Sequence, residues 1–246
     1  MNFKIEIMNP SPFDAIAPSY DDGFTDTTVG RYQRAVVTDI LTRRFRSGMR
    51  ILEIGCGTGA DTVFLARQGI RVTAIDASPR MVDIARQRVA EARLEDLVEL
   101  KACSAEEVAC TTPGEPFDGL FSDFGVLNCL DNPEIIGTLA GNWLKPGGYA
   151  ILCLIGRWCA WEIAAHIVQL QPRTAFRRLH RDGADVSIGE ASVHVIYPPP
   201  KTVVEVCKPH CRHLITTGIG VLIPPSYLNP LVDRFPRSFR FLRSLD

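Results

Sequence analysis

Residues 51–62 read ILEIGCGTGADT. An apolar run ending in Glu53 meets glycines at three alternate positions, Gly55, Gly57 and Gly59. No regular element accepts that density, because each interior glycine costs roughly 0.5–1 kcal/mol relative to alanine. The stretch therefore predicts a strand that ends at 54, a turn, and a helix that starts at 60. It also predicts that something comes close to the backbone between them.

The rest of the first 155 residues repeats that unit. Apolar positions 36, 37, 40, 41 and 45 have helical spacing over 29–46, with Gly48 closing the helix. Short apolar strands are expected at 50–54, 71–75, 98–102, 117–122 and 149–155. Helices are expected at 60–68, 79–93 and 133–144, the second opened by Ser78 as N-cap with Pro79 behind it. Apolar strands alternating with amphipathic helices predict an α/β fold, a doubly wound, mostly parallel sheet covered on both faces.

A glycine turn between strand and helix lets a ligand touch main chain beside a helix N-terminus. A dinucleotide fold wants G-x-G-x-x-G, whereas Glu53 to Gly59 reads E-x-G-x-G-x-G. An acid ahead of the glycines suits a ligand amine and opposes a pyrophosphate. Asp76, at the end of the second strand, suits two ribose hydroxyls. These features favour S-adenosyl-L-methionine, zwitterionic at one end and free of phosphate, over NAD.

Over residues 13–155 the chain resembles the class I S-adenosylmethionine-dependent methyltransferases. Glu53, Gly55, Cys56, Gly57 and Gly59 correspond to that family's glycine loop, and TAIDASPRMVDIAR to its second motif. The resemblance implies that Asp76 binds the ribose, and that Ala77 and Met81 flank the adenine. Ser104 and Ala105, in ACSAEEV, stand where the family places an adenine-binding acid. Ser122 and Asp123, in FDGLFSDFGVLNCL, stand near the methionine end. FDAIAPSYD resembles the element that closes over the cofactor, with Tyr20 as lid. Asn128 and Arg157 are the substrate-side candidates. The resemblance also implies a Rossmann-like methyltransferase fold. The corresponding activity is methyl transfer to an O, N or C nucleophile of a small molecule. A non-catalytic S-adenosylmethionine-binding regulator is the alternative, and an NAD(P)-dependent oxidoreductase a more distant one.

Composition narrows the partners. The 246 residues suit a single domain over 1–246, and a formal net charge of −1 gives no global attraction to nucleic acid or an anionic membrane. No apolar run is long enough for a membrane span, and the N-terminus lacks a secretion signal. The 8 cysteines form no CxxC pair, as expected of buried thiols in the cytoplasm. CKPHCRH, at 207–213, matches no zinc spacing, so no metal is expected. No catalytic base is assigned to His166, His180 or His194.

After Gly156 the rhythm breaks. Residues 156–200 are expected to form an insertion on the substrate side, with a helix at 158–170, a basic stretch at 173–183 and an alternating strand at 190–198. The N-terminal segment 1–28 is expected to act as a lid with one short helix. Thr202 and Glu205 form a capping-box pattern, 212–223 reads as a sixth strand, and 230–245 as a last helix. The family's seventh strand has no counterpart. The expectation is an unpaired sheet edge and a homo-oligomer formed through it.

Overall fold

The computed structural model describes residues 11–112, 114–130, 132–189 and 191–246. Helix α1 (Thr28–Arg44) leads into β1 (Arg50–Ile54), α2 (Ala60–Arg67), β2 (Arg71–Asp76), α3 (Pro79–Glu91) and β3 (Val98–Ala102). A short α4 (Ala105–Ala109) follows, then β4 (Phe117–Ser122), α5 (Glu134–Trp143) and β5 (Leu144–Leu152). The five strands are parallel in the order β3-β2-β1-β4-β5. Strands 1, 3 and 4 have the expected bounds. The fifth begins earlier than expected, because a register shift between Phe117 and Gly119 accommodates the Pro146-Gly147-Gly148 turn inside it.

Alternate side chains of the strands go to opposite faces, and each face has its own core. Leu52, Ile54, Ile75 and Leu120 pack against Ile136 and Leu139 of α5. Ile51, Val72, Ala74 and Phe121 pack against Val37 and Leu41 of α1, Leu65 of α2 and Ala85 of α3. Glu53 shares the second face, buried beneath α1 and α2. The chain crosses over between β1 and β4, so the crevice at the carboxyl ends of these strands is where an open α/β sheet holds ligand.

The remaining third holds α6 (Ala160–Val168), α7 (Pro172–Ala175), the antiparallel hairpin β6 (Ala184–Ile188) and β7 (Ala191–Val195), α8 (Pro200–Cys207), α9 (Asn229–Arg234) and α10 (Pro236–Leu245). Two expectations are corrected here, while the strand expected at 190–198 is present as β7 within those bounds. Residues 212–223 form no strand: Gly218 and a left-handed Gly220 interrupt them, and the Asp246 carboxylate accepts from Gly220 N at 2.8 Å and Leu222 N at 2.7 Å. The alternating segment at 190–198, whose Glu190 lies outside the described residues, pairs with β6 in a separate hairpin. The single helix at 230–245 is two helices, because Pro236 removes a donor and forces Phe235 out of helical geometry. In addition, α8 starts on Pro200, two residues before Thr202, so Thr202 does not cap it.

The first ten residues of the expected lid lie outside the described part. Residues 12–25 form successive short helical turns laid across the ligand end of the sheet. Asp14 Oδ1 accepts from Ser78 Oγ at 2.5 Å, Asp21 Oδ1 accepts from Thr58 Oγ1 at 2.7 Å, and Asp21 Oδ2 pairs with Arg88. No helix among the described residues is long and apolar enough to cross a membrane.

Candidate cofactor site

The three glycines of the loop do different work. Gly55, Gly57 and Gly59 all have positive φ, at 76°, 52° and 80°. A side chain on Gly55 would run into Val126, and one on Gly59 would sit 2.8 Å from the Ala85 Cβ. These two are small because the protein itself packs against them. Only at Gly57 is there room, with Tyr20 Cε1 the nearest atom at 3.9 Å. The close approach anticipated from the sequence is thus internal at two positions and open at one.

Asp76 ties the loop to the second strand. Its carboxylate accepts from Gly57 N and Ser78 N, each at 2.8 Å. Burial raises its pKa, and the two amides hold it back. Ala77 follows on the surface and Met81 is buried in the first turn of α3, its N–H capped by Ser78 Oγ at 3.1 Å. Ser104 caps α4: its hydroxyl accepts from Glu107 N at 3.1 Å while its own N–H donates to Glu107 Oε2 at 2.7 Å. Ala105 is buried behind it. Cys103 N donates to Asp76 O at 3.0 Å, which sets this cap beside the end of β2.

Beneath residues 12–25 lies a group of acids. Glu53 is buried and accepts from Thr62 Oγ1 at 2.6 Å; loss of solvent pushes its pKa to about 8. Asp123, at the end of β4, is buried and pushed to about 7 for the same reason, and its Oδ2 has no hydrogen-bond partner. Asp61 is buried too, paired with Arg34, and its Oδ1 has no partner. Arg34, from α1, is the cation whose charge acts on Glu53, Asp123 and Tyr20. Its guanidinium lies 4.7 Å from the Phe124 ring centroid and 5.9 Å from that of Phe24, which in turn packs against Tyr20. Burial raises the Tyr20 hydroxyl pKa. Phe124 has φ 47°, a strained value for an aromatic residue, immediately after Asp123.

Not every sequence candidate faces this space. Ser122 Oγ donates to Ile54 O at 2.8 Å and clasps β4 to β1. Cys56 is buried and its thiol is pushed well up by desolvation. Asn128 is fully buried with its whole amide used: Nδ2 donates to Ile155 O at 3.1 Å and Ile196 O at 2.7 Å, and Oδ1 accepts from Ile155 N at 2.8 Å. That corrects its expected role, because no donor or acceptor is left for a substrate. Arg157 differs: its Nε is buried without a partner. Arg34, Asp61, Thr62 and Phe124 escaped the sequence reading. Arg34 sits among Arg31, Arg43 and Arg44 in α1, where it reads as one more solvated cation.

Carboxylates outnumber cations in this buried space, and two carboxyl oxygens lack partners. A ligand bringing an ammonium and a sulfonium supplies the missing positive charge, and its carboxylate matches Arg34. The residues therefore fit S-adenosylmethionine. A family model described as a methyltransferase domain matches residues 51–148. The ubiquinone biosynthesis O-methyltransferase of Xylella fastidiosa (strain M23) is 29% identical over 185 residues, 67% of this chain and 74% of that one. The chain thus carries an S-adenosylmethionine-dependent methyltransferase domain over these residues. The demethylmenaquinone methyltransferase of Symbiobacterium thermophilum is 30% identical over 145 residues, 58% of this chain and 56% of that one. Among solved structures, the CcbJ methyltransferase from Streptomyces caelestis has a TM-score of 0.54 at 19% identity, covering 82% of this chain and 86% of its own. At that identity the likeness carries the fold alone.

Proposed function

We propose that this methyltransferase acts on a small molecule, and that the buried acids around Arg34 hold the amino-acid end of the cofactor. The observation that carries the assignment is the pair of partnerless oxygens, Asp123 Oδ2 and Asp61 Oδ1, beside one guanidinium. Glu53 and Asp123 take the ammonium, and Arg34 the carboxylate. Asp76 takes the ribose hydroxyls, giving up part of its hold on Gly57 N. Gly55, Cys56, Gly57 and Gly59 present main chain. Ala77 and Met81 flank the adenine, with Ser104 and Ala105 at its edge. Tyr20 closes the site as part of the 1–28 lid.

When bound, the cofactor supplies an electrophilic methyl on a sulfonium whose departure as a neutral thioether needs no acid. The chain's work is then to hold the nucleophile in line and exclude water. The Tyr20–Phe24–Phe124 aromatics and the 156–200 insertion provide that enclosure. Arg157, whose Nε is buried without a partner, stands on the insertion side and suits an acidic substrate group. The methylation of small molecules named by the curated relatives supports the same class. The test is turnover with methyl-labelled S-adenosylmethionine against separated metabolite, protein and RNA fractions of an extract. Label is expected in the metabolite fraction; label only in protein or RNA overturns the assignment.

A further inference from the structure

The net charge of −1 conceals a local imbalance. From residue 208 onward the basic residues are Lys208, Arg212, Arg234, Arg237, Arg240 and Arg243, against two acids. Neither acid forms an ion pair with these arginines among the described residues. Asp233 accepts from Thr28 Oγ1 at 2.8 Å and Asn229 Nδ2 at 2.7 Å, and Asp246 holds the main chain of Gly220 and Leu222. Among the described residues Arg234, Arg237, Arg240 and Arg243 have no ion pair, whereas Arg34, Arg50, Arg88, Arg177 and Arg178 all do.

Two of them, Arg237 and Arg240, lie beside exposed apolar side chains, whereas Arg243 stacks over Tyr32 on the inner side. Helix α10 buries Phe239 against Val29 and Tyr32. On its opposite side, at helical spacing, are Arg237, Phe241 and Leu245, with Arg240 adjacent. Phe241 is 63% exposed and Leu245 59%. The bonds from Asp246 bring the 220–222 loop against the end of this helix, adding Val221, 64% exposed. Unpaired arginines interleaved with an aromatic and aliphatic residues on one outer face match an interfacial helix, which sinks its apolar side chains to the headgroup boundary.

We propose that the outer face of α10, with the 220–222 loop, docks this protein peripherally on an anionic lipid surface. Charge complementarity selects the occupant. A second copy meeting this face by two-fold symmetry would set the same unpaired arginines against each other. A nucleic acid would satisfy the arginines but leave Val221, Leu222 and Leu245 in water, whereas a lipid surface satisfies both sets.

The experiment is flotation of the full chain with vesicles of phosphatidylcholine alone or mixed with phosphatidylglycerol. Binding is expected to the anionic vesicles only and to fall at high salt. Arg237→Gln combined with Arg240→Gln is expected to weaken it about thirty-fold, each basic residue near such a surface being worth about a factor of five. Phe241→Trp is expected to add blue-shifted emission on anionic vesicles only. Circular dichroism melts check that these exposed substitutions leave the fold intact. Equal binding to neutral vesicles, no binding, or full binding by the double variant overturns the proposal. So does tighter binding to single-stranded RNA, or self-association that Phe241→Ser abolishes.

Discussion

Two buried carboxylate centres in this molecule are built on opposite plans. In the C-terminal third, Glu162 of α6 is saturated. It accepts from Arg177 Nε at 3.0 Å, Arg178 Nε at 3.2 Å and Tyr227 Oη at 2.9 Å, with a second bond from Arg178. Burial alone would raise its pKa, but the Arg178 and Arg177 guanidinium groups pull it below the ordinary value. At the ends of β1 and β4, Glu53 and Asp123 are buried with less help and rise to about 8 and about 7. A saturated acid joins elements: this one ties α6 to the segment at 177–178 and to Tyr227. An undersatisfied acid stores an unfavourable charge that a cationic ligand relieves. The first pattern is scaffold and the second is the proposed binding site.

The largest test of this contrast is Glu162→Ala. Removing the partner of two half-buried arginines is expected to cost about 3–5 kcal/mol in urea unfolding while S-adenosylhomocysteine affinity survives in the folded fraction. A cost near zero would remove the scaffold side of the contrast. Asp123→Asn should do the reverse. The ligand-free protein should become no less stable, because a partnerless buried charge is gone. S-adenosylmethionine binding should weaken by about 2 kcal/mol in calorimetry, the size of a lost bond to a charged group.

The pH dependence separates the two centres by sign. Glu53 and Asp123 have folded pKa values above their unfolded ones, so the native state binds more protons and stability falls as pH rises from about 4 toward about 8. Glu162 is lowered, so its contribution is present above its unfolded value and is lost as pH falls through the folded one. Ligand-free stability is therefore expected to fall between pH 5 and 8, by at most about 1.4 kcal/mol per pH unit for each proton released. Saturating S-adenosylmethionine should flatten that slope; an equal slope with ligand would place the raised acids elsewhere. The smallest effect is expected from Tyr20→Phe, under about 1 kcal/mol in S-adenosylhomocysteine affinity, with Tyr20→Ala clearly larger if the ring is the lid.

The same division governs what could be read from the sequence. β1 to β5 were legible because the central strands are largely apolar, β3 at the edge alternates apolar residues with Glu99 and Lys101, and each break carries its own signal: Ser78-Pro79 opens α3, and Gly69 closes the turn after α2. α4 was missed, although Ser104 and Glu107 form a capping box, because five residues show no helical period. Residues 212–223 are rich in Leu, Ile, Val and Thr as a strand is, but the Gly220 and Leu222 amides donate to Asp246, 26 and 24 residues further on. The role of Asn128 rests on main chain at Ile155 and Ile196, which no local pattern announces. Arg34 was hidden for the same reason, its partner Asp61 lying in another helix.

Asn128 also decides which wall of the site can open. Its amide stitches the exit of β5 to the exit of β7, and its carbonyl takes Ile196 N at 2.8 Å, all from a fully buried residue. The hairpin and the sheet end therefore behave as one fixed jamb. The N-terminal turns are fastened by side-chain links nearer the surface, Asp14 to Ser78 and Asp21 to Thr58 and Arg88. On the proposed reading, traffic into and out of the crevice would pass on that side, with residues 12–25 as the door and the hairpin as the frame on which it shuts.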